Sequence, residues 1–154
     1  MGLTIGEMAP AFSLPATGRQ TISSDGLKGQ KAVLYFYPKD DTSGCTIEAI
    51  DFQRLYPEFQ AAGIEVVGIS PDGLRSHDRF CGKHGLEFPL ASDEEKSTLQ
   101  AFGVWVEKSM YGRKYMGVER TTVLLDSEGR VARIWPKVKV SGHAEEVLAA
   151  AIAL

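Results

Sequence analysis

Cys45 is the residue whose type and position in this chain most directly allow covalent chemistry. It follows the segment 38–44, whose proline, aspartates, serine and glycine indicate a loop. After this loop the apolar residues recur with helical spacing, so we expect Cys45 in the first turn of a helix. Unpaired backbone N–H groups and the positive end of the helix dipole favour a thiolate there. The pattern predicts a nucleophilic thiol, and Cys81 is the one other cysteine of the sequence.

A free cysteine is more often a small buried apolar side chain, and this alternative applies to Cys45. Three features favour chemistry instead. The residue follows the carboxyl end of a predicted central strand, where open α/β sheets place their sites. It also lies at a helix start. Finally, Thr42 precedes it by three residues, and its hydroxyl can reach the same small pocket.

The elements that position Cys45 begin with the apolar run 32–37, which predicts a strand buried on both faces. One face of a following helix carries apolar residues at spacings of three and four: Cys45, Ala49, Phe52, Tyr56 and Phe59. Pro57 predicts a kink in this helix, and Gly63 predicts its end. The run 65–70 predicts a second buried strand, parallel to the first through a right-handed crossover.

The second half of the chain predicts further helices and an antiparallel pair. Pro71 suits the first turn of a helix that Gly85 ends, and a shorter helix is expected over 95–102. Runs 121–125 and 130–135, joined by Asp126-Ser127-Glu128-Gly129, indicate a hairpin. A last helix is expected over 143–153. This order predicts an α/β, thioredoxin-like fold with a central mixed sheet and helices on both faces.

The composition is that of an ordinary globular protein. Its 154 residues are 44% apolar and 24% charged, and the length predicts a single domain over 1–154. A net charge of −3 argues against nucleic-acid binding, and no apolar run is long enough to span a membrane. The first six residues lack the features of a secretory signal, so we expect a cytoplasmic location. In such a reducing compartment a disulfide is more often transient and catalytic.

The segment around Cys45 resembles the peroxiredoxins, which are thiol peroxidases with a Pro-x-x-x-Thr-x-x-Cys signature. Here the signature is complete as Pro38, Thr42 and Cys45. The resemblance is strongest to the bacterioferritin-comigratory, or peroxiredoxin Q, branch. Matching segments follow the family's order along nearly the whole chain: 6–14, 37–42, 68–70, 88–93 and 119–126.

This resemblance implies a mechanism and a set of site residues. Cys45 attacks hydrogen peroxide or an organic hydroperoxide and becomes a sulfenic acid. Thr42 and the Cys45 backbone N–H hold the peroxide, Arg120 stabilises the thiolate and the transition state, and Pro38 shields the sulfur. Glu48 helps to fix the arginine. Taken alone, Arg120 could be a solvated strand-end residue, Thr42 a turn or cap, and Glu48 a favourable acidic residue near a helix start.

Cys81 is the resolving cysteine that the resemblance implies. Many members of the branch carry that cysteine five residues after the nucleophile, where this chain has Ile50. A second subgroup carries it on the next helix, as here, and this implies an intramolecular Cys45–Cys81 disulfide reduced by thioredoxin or a similar dithiol. Since a disulfide requires Cα atoms within about 7 Å, we expect both helices to unwind locally, aided by Gly44 and Gly82. The alternative is a buried Cys81 and an external resolving thiol.

Other interpretations are weaker. His77, Cys81 and His84 share one helix face, but without a fourth partner they do not predict a metal site, and no cofactor is expected. His143 suits a solvated or capping position. A disulfide reductase is disfavoured because Cys45 begins no Cys-x-x-Cys motif. The alternative function is a redox-sensing or holdase module on the same fold. Because Cys81 is internal and the chain stops after its last helix, we expect a monomer.

Overall fold

The computed structural model describes residues 3–154. Residues 1–2, which belong to the N-terminal segment considered above, lie outside the described residues. The strands are β1 (Ser13–Ala16), β2 (Gln20–Ser23), β3 (Lys31–Phe36), β4 (Ile64–Ser70), β5 (Leu90–Ser92), β6 (Trp105–Met110), β7 (Arg113–Val118), β8 (Thr121–Leu125) and β9 (Val131–Trp135). The helices are α1 (Ser24–Leu27), α2 (Ser43–Ala61), α3 (Leu74–His84), α4 (Ser97–Ala101) and α5 (His143–Ala153).

A mixed seven-stranded sheet organises the molecule, with the strand order β2-β1-β5-β4-β3-β8-β9. Strands β3, β4 and β5 are parallel, while β8 runs antiparallel to β3. Strands β6 and β7 form a separate hairpin. Because parallel strands end at the same edge, the loops that lead into α2 and α3 leave the sheet side by side.

Two hydrophobic cores cover the two faces of this sheet. Alternate residues of β3 point to opposite sides, so Tyr35 packs with α2 and α5 while Phe36 packs with α4. Helix α3 contributes Phe80 to the first core, the one that also holds Cys45. The predicted mixed sheet with helices on both faces is confirmed.

The predicted elements are present with shifted ends. Helix α2 continues through Pro57, and Gly63 follows its end with a positive φ of 75°. Helix α3 begins at Leu74 rather than at Pro71, since Gly73 occupies the N-cap position. Gly85 ends α3 in the left-handed conformation, as predicted.

Two β-hairpins are absent from the predictions. Strands β1 and β2 are four residues long and half exposed, so their apolar signal is weak. The β6–β7 hairpin is mostly exposed, and its turn residues Tyr111 and Gly112 both have positive φ, 53° and 77°. Such a turn favours glycine, so Gly112 was the available signal for this hairpin.

None of the helices in residues 3–154 has the length and apolar character needed to cross a membrane.

Candidate active site

Cys45 is the third residue of α2, in the first helical turn, as predicted. Its residue exposure is only 1%, and it belongs to the core on the α2 face of the sheet. A short loop, 37–42, connects β3 to this turn. The first N–H groups of a helix have no intrahelical acceptor, so donors surround the sulfur position. The thiol is therefore both enclosed by protein and next to the positive end of a long helix.

Arg120 lies directly before β8 and reaches the Cys45 sulfur. The register that pairs Phe36 with Thr121 brings Arg120 to the end of β3 where the Cys45 loop begins. Its Nη2 donates to Cys45 Sγ at 3.2 Å, and a Cβ at Gly44 would lie 3.3 Å from that same nitrogen. A larger residue at Gly44 would therefore push the guanidinium away from the sulfur.

Glu48 fixes the other side of the guanidinium. Arg120 Nη1 donates to Glu48 Oε1 at 2.6 Å, and the Glu48 side chain is 1% exposed. Burial opposes the charge of Arg120, but the charges of Glu48 and Cys45 outweigh it and raise the pKa of Arg120 above its ordinary value. Burial likewise raises the pKa of Glu48 to about 7, although Arg120 favours the carboxylate. The arginine is thus charged at every working pH, whereas Glu48 titrates near neutrality.

Thr42 and Pro38 lie in the loop that leads from β3 into α2. Thr42 occupies the N-cap position of α2, but its side chain makes no capping bond. Its Oγ1 instead donates to the Lys39 carbonyl at 2.8 Å, which leaves the oxygen lone pairs free to accept. Thr42 is exposed, and Pro38 is half-buried, two residues after the end of β3.

Cys81 lies in different surroundings, on the last turns of α3. It is half-buried, whereas Cys45 is buried, and neither cysteine is in a disulfide. Burial raises the pKa of the Cys81 thiol to about 11 from 9.0; the Thr17 hydroxyl opposes the shift, while the carboxylates of Asp40 and Asp78 add to it. In this conformation Cys81 is a protonated and weakly nucleophilic thiol.

Asp40 and His77 are neighbours of the site, and the contact between them was not predicted from the sequence. His77 is fully buried, and its Nδ1 lies 2.7 Å from Asp40 Oδ2. The hydroxyls of Tyr37 and Ser76 donate to the same carboxylate at 2.6 and 2.8 Å. Burial alone raises the pKa of Asp40, but the hydrogen bond and charge of His77 outweigh it and lower that pKa below its ordinary value.

The ligand atoms that lie close together in the structure are not those of His77, Cys81 and His84, the three residues that share one face of α3. In residues 3–154, the one group of His, Cys, Asp and Glu ligand atoms within 4.8 Å of one another is Asp40, Asp72 and His77. All three already take part in hydrogen bonds within the protein. Among the described residues, Cys81 and His84 therefore do not form a ligand cluster with His77. The His84 ring instead lies 3.6 Å from the Asp41 carboxylate.

His143 is buried, so the prediction of a solvated or capping residue is wrong. Its Nε2 lies 2.8 Å from Thr122 Oγ1, and its ring contacts Phe52 and Trp135 edge-on. Burial lowers the pKa of His143 to about 4, so the ring is neutral at pH 7. Gly142 holds the N-cap position of α5 with a φ of 72°.

Comparisons with known proteins agree with the resemblance read from the sequence. The AhpC/TSA family pattern matches residues 5–134. The chain is 50% identical to the peroxiredoxin Bcp of Xanthomonas campestris over 145 residues, which covers 92% of this chain and 90% of that protein. It is 38% identical to the peroxiredoxin Bcp of Escherichia coli K12 over 146 residues, 95% of this chain and 94% of the relative.

Solved structures are equally similar. Peroxiredoxin Q of X. campestris superposes with a TM-score of 0.88 at 48% identity, covering 92% of this chain and 90% of that one. A cysteine-to-serine variant of Xylella fastidiosa PrxQ gives a TM-score of 0.94 at 39% identity, covering 99% and 98%. Family, fold and the Cys45–Arg120 geometry converge, and the chain belongs to the AhpC/TSA family, within the Bcp and peroxiredoxin Q group of peroxiredoxins, which are thiol peroxidases.

Proposed function

We propose that this protein reduces hydrogen peroxide and organic hydroperoxides through a sulfenic acid on Cys45. The thiolate attacks one peroxide oxygen, so an S–O bond forms while the O–O bond breaks. The other oxygen leaves with the electron pair and takes up a proton to become water or an alcohol. Cys45 is oxidised by two electrons and the peroxide is reduced by two.

The observation that carries this proposal is the guanidinium of Arg120 at 3.2 Å from Cys45 Sγ, in a nearly solvent-free position. A fixed cation next to the sulfur stabilises the thiolate. It also stabilises the negative charge that moves onto the leaving oxygen in the transition state. The ion pair with Glu48 orients the Arg120 guanidinium before the peroxide binds, so the side chain needs little reorganisation during the reaction.

Thr42 and the helix N-terminus supply the remaining contacts to the peroxide. Because the Thr42 hydroxyl hydrogen points to the Lys39 carbonyl, its oxygen can accept the proton of a bound hydroperoxide. The N–H of Cys45, in the first turn of α2, donates to a peroxide oxygen. Pro38 covers the loop side of the sulfur and limits water. These contacts align the O–O bond with the attacking sulfur.

Cys81 completes the cycle by resolving the sulfenic acid. Its thiolate attacks Cys45 sulfur, a disulfide forms, and the hydroxyl leaves as water. Cys45 is 1% exposed and the Cys81 thiol has a pKa of about 11 in the closed structure, so this step needs local opening of both helices. Once Cys81 reaches water its thiol regains an ordinary pKa and becomes a competent nucleophile.

The relatives support the same assignment. A solved structure of the X. campestris bacterioferritin comigratory protein concerns its alkyl peroxide reduction activity. Solved variants of X. campestris peroxiredoxin Q replace two cysteines that are as far apart in sequence as Cys45 and Cys81.

Thioredoxin or a similar dithiol reduces the Cys45–Cys81 disulfide at the end of the proposed cycle, in the cytoplasm. A monomer suffices for this cycle, since both cysteines belong to one chain.

A coupled assay tests the proposal. Purified protein, thioredoxin and its reductase are given hydrogen peroxide or an organic hydroperoxide, and reductant consumption is followed with Cys45→Ser as the control. We expect sustained turnover that requires Cys45. A single stoichiometric oxidation without turnover would instead favour a redox-sensing or holdase module.

Mass spectrometry under non-reducing conditions tests the resolving step separately. After one equivalent of peroxide we expect a Cys45–Cys81 disulfide within one chain. A persistent Cys45 sulfenate, or a disulfide between two chains, would contradict the intramolecular model.

A further inference from the structure

The proposed Cys45–Cys81 disulfide requires two segments to open, and the structure joins them through buried polar contacts. The first is the loop 38–42 with the opening turn of α2. The second is α3, which carries Cys81. Asp40 belongs to the first segment and His77 to the second, one helical turn before Cys81. The hydrogen bond between Asp40 Oδ2 and His77 Nδ1, at 2.7 Å, therefore crosses between the two parts that have to separate.

The surroundings of this contact fix both partners. The His77 side chain is 0% exposed and that of Asp40 is 3% exposed. The other ring nitrogen of His77 lies 3.1 Å from the Ala91 carbonyl in β5, so both nitrogens face acceptors. The ring is therefore held on two sides, by the Asp40 carboxylate and by the backbone of β5. The contact is thus a buried hydrogen bond to a carboxylate, anchored on the sheet.

Neighbouring hydroxyl groups donate further hydrogen bonds to the Asp40 carboxylate. Tyr37 donates to Asp40 Oδ1 from the end of β3, and Ser76 donates to Oδ2 from α3. The Asp40 backbone N–H donates to Asp72 Oδ2 at 2.8 Å, from the loop that leads into α3. The contacts of Ser76 and Asp72 join the Cys45 loop to α3 and to the loop that leads into it. The contact of Tyr37 holds the Asp40 carboxylate in place.

Asp41 makes an outer contact between the same two segments. Its carboxylate lies 3.0 Å from Lys83 Nζ and 3.6 Å from His84 Nε2, both on α3. The Asp41 and Lys83 side chains are 51% and 60% exposed, and exposed pairs of this kind contribute little stability. Asp41 therefore serves as a matched control for Asp40, one residue away and with the same carboxylate.

We propose that Asp40 and His77 are positioning residues that latch the Cys45 loop onto the Cys81 helix, so that breaking this one contact controls how fast the sulfenic acid is resolved. This latch rests on the proposed role of Cys81. While the latch is closed, Cys45 keeps its peroxide site and Cys81 stays a protonated thiol. When it opens, both segments are released together. The lifetime of the sulfenate, and with it the chance that a second peroxide converts it to a sulfinate, follows from this step.

Rapid-quench experiments on Asp40→Asn, His77→Gln and the double variant test the latch. Thiol trapping and mass spectrometry separate the peroxide-dependent oxidation of Cys45 from the later, peroxide-independent formation of the disulfide. Hydrogen bonds to charged groups are strong enough that we expect disulfide formation to accelerate about tenfold or more in each single variant. The double variant should resemble the singles, because the two residues act as one contact. Asp41→Asn should change the rate by less than about twofold.

The sulfinate fraction formed at fixed peroxide excess separates faster resolution from damage to the peroxide site. At a low sulfinate fraction it should fall by about the factor by which resolution accelerates, with the rate of Cys45 oxidation unchanged, whereas a damaged site would slow that oxidation. Folded variants with unchanged or slower disulfide formation would overturn the latch. Absence of any Cys45–Cys81 disulfide in the unaltered protein would overturn the proposed resolving role, which is a distinct result.

Hydrogen exchange on the unaltered protein provides a second test that needs no substitution. Amides of the segments 40–46 and 76–84 should open with the same free energy if one latch joins them. Exchange of the α3 segment at a clearly lower opening free energy than the Cys45 segment would show that they move independently, and would contradict the proposal.

Discussion

The two cysteines occupy similar places in the topology and very different electrostatic surroundings. Both lie on helices that follow adjacent parallel strands, β3 and β4, and Cys45 is buried while Cys81 is half-buried. Cys45 has the Arg120 guanidinium at 3.2 Å, whereas the charges that act on Cys81 are the carboxylates of Asp40 and Asp78. Burial alone disfavours a thiolate. The position of one arginine therefore distinguishes the two thiols, and in the proposed function it makes Cys45 the one that attacks peroxide.

Removing that arginine should have the largest effect. Arg120→Met takes the cation from the sulfur, so we expect the second-order rate constant for peroxide to fall about 100- to 1000-fold. Arg120→Lys should recover part of the loss, since it restores charge without the two-pronged contact to Cys45 and Glu48. Stopped-flow measurement of peroxide consumption checks this.

Arg54→Met is the matched control for this substitution. Arg54 lies on the same helix as Cys45, is exposed, and pairs with Glu145 at 2.7 Å. Its loss should leave the rate constant unchanged. An equal fall in both variants would mean that overall charge, rather than the position of Arg120, matters.

Cys81, whose thiol pKa is raised by burial, should react more slowly than an ordinary cysteine. In Cys45→Ser, alkylation of Cys81 should follow a thiolate with a pKa of about 11, compared with 9.0 for an ordinary cysteine. That difference makes the thiolate about 100-fold less populated at pH 8 than in the unfolded chain. The pH profile of alkylation, compared between native and denatured protein, checks it. A native midpoint at or below the denatured one would remove the contrast between the two sites.

Glu48 should make stability depend on pH. Burial raises its folded pKa to about 7, above the ordinary 4.5, so the folded state binds the proton more tightly than the unfolded state. Stability is therefore lost as pH rises from about 4.5 to about 7, by up to about 3 kcal/mol. Glu48→Gln should flatten this dependence, and the exposed Glu58→Gln on the same helix should not. Urea denaturation at pH 5 and pH 8 measures both, and an identical pH dependence in Glu48→Gln and the parent would contradict the account.

Thr42 should have the smallest effect of the four. Thr42→Val keeps the shape but removes the oxygen that accepts the peroxide proton, so we expect the peroxide rate constant to fall about tenfold. Thr42→Ser should restore most of the rate because the hydroxyl returns. A slow Thr42→Ser would indicate that the methyl group, rather than the oxygen, matters.

The sequence predicts the order of elements well because apolar periodicity reports burial directly. Strands β3, β4 and β8 are nearly continuous apolar runs, and Gly85 gives a clear helix end. The hairpin β6–β7 presents few buried residues, so its periodicity carries little information about packing.

The candidate site is predicted in part. The loop, the helix start and the signature residues identify Cys45, Thr42 and Pro38. The contact of Arg120 with a residue 75 positions away depends on the β3–β8 register, which a single sequence does not reveal without the family resemblance. The contact between Asp40 and His77 was not predicted for the same reason, since a buried hydrogen bond between distant polar residues leaves no local pattern.

One single-turnover measurement tests the division of roles between the two thiols most directly. Cys45→Ser and Cys81→Ser are each mixed with one equivalent of hydrogen peroxide, and peroxide loss and sulfenate formation are followed together. We expect Cys81→Ser to consume the peroxide at the parental rate and to accumulate a Cys45 sulfenate, while Cys45→Ser consumes none. Rapid peroxide loss in Cys45→Ser, with oxidation at Cys81, would contradict it.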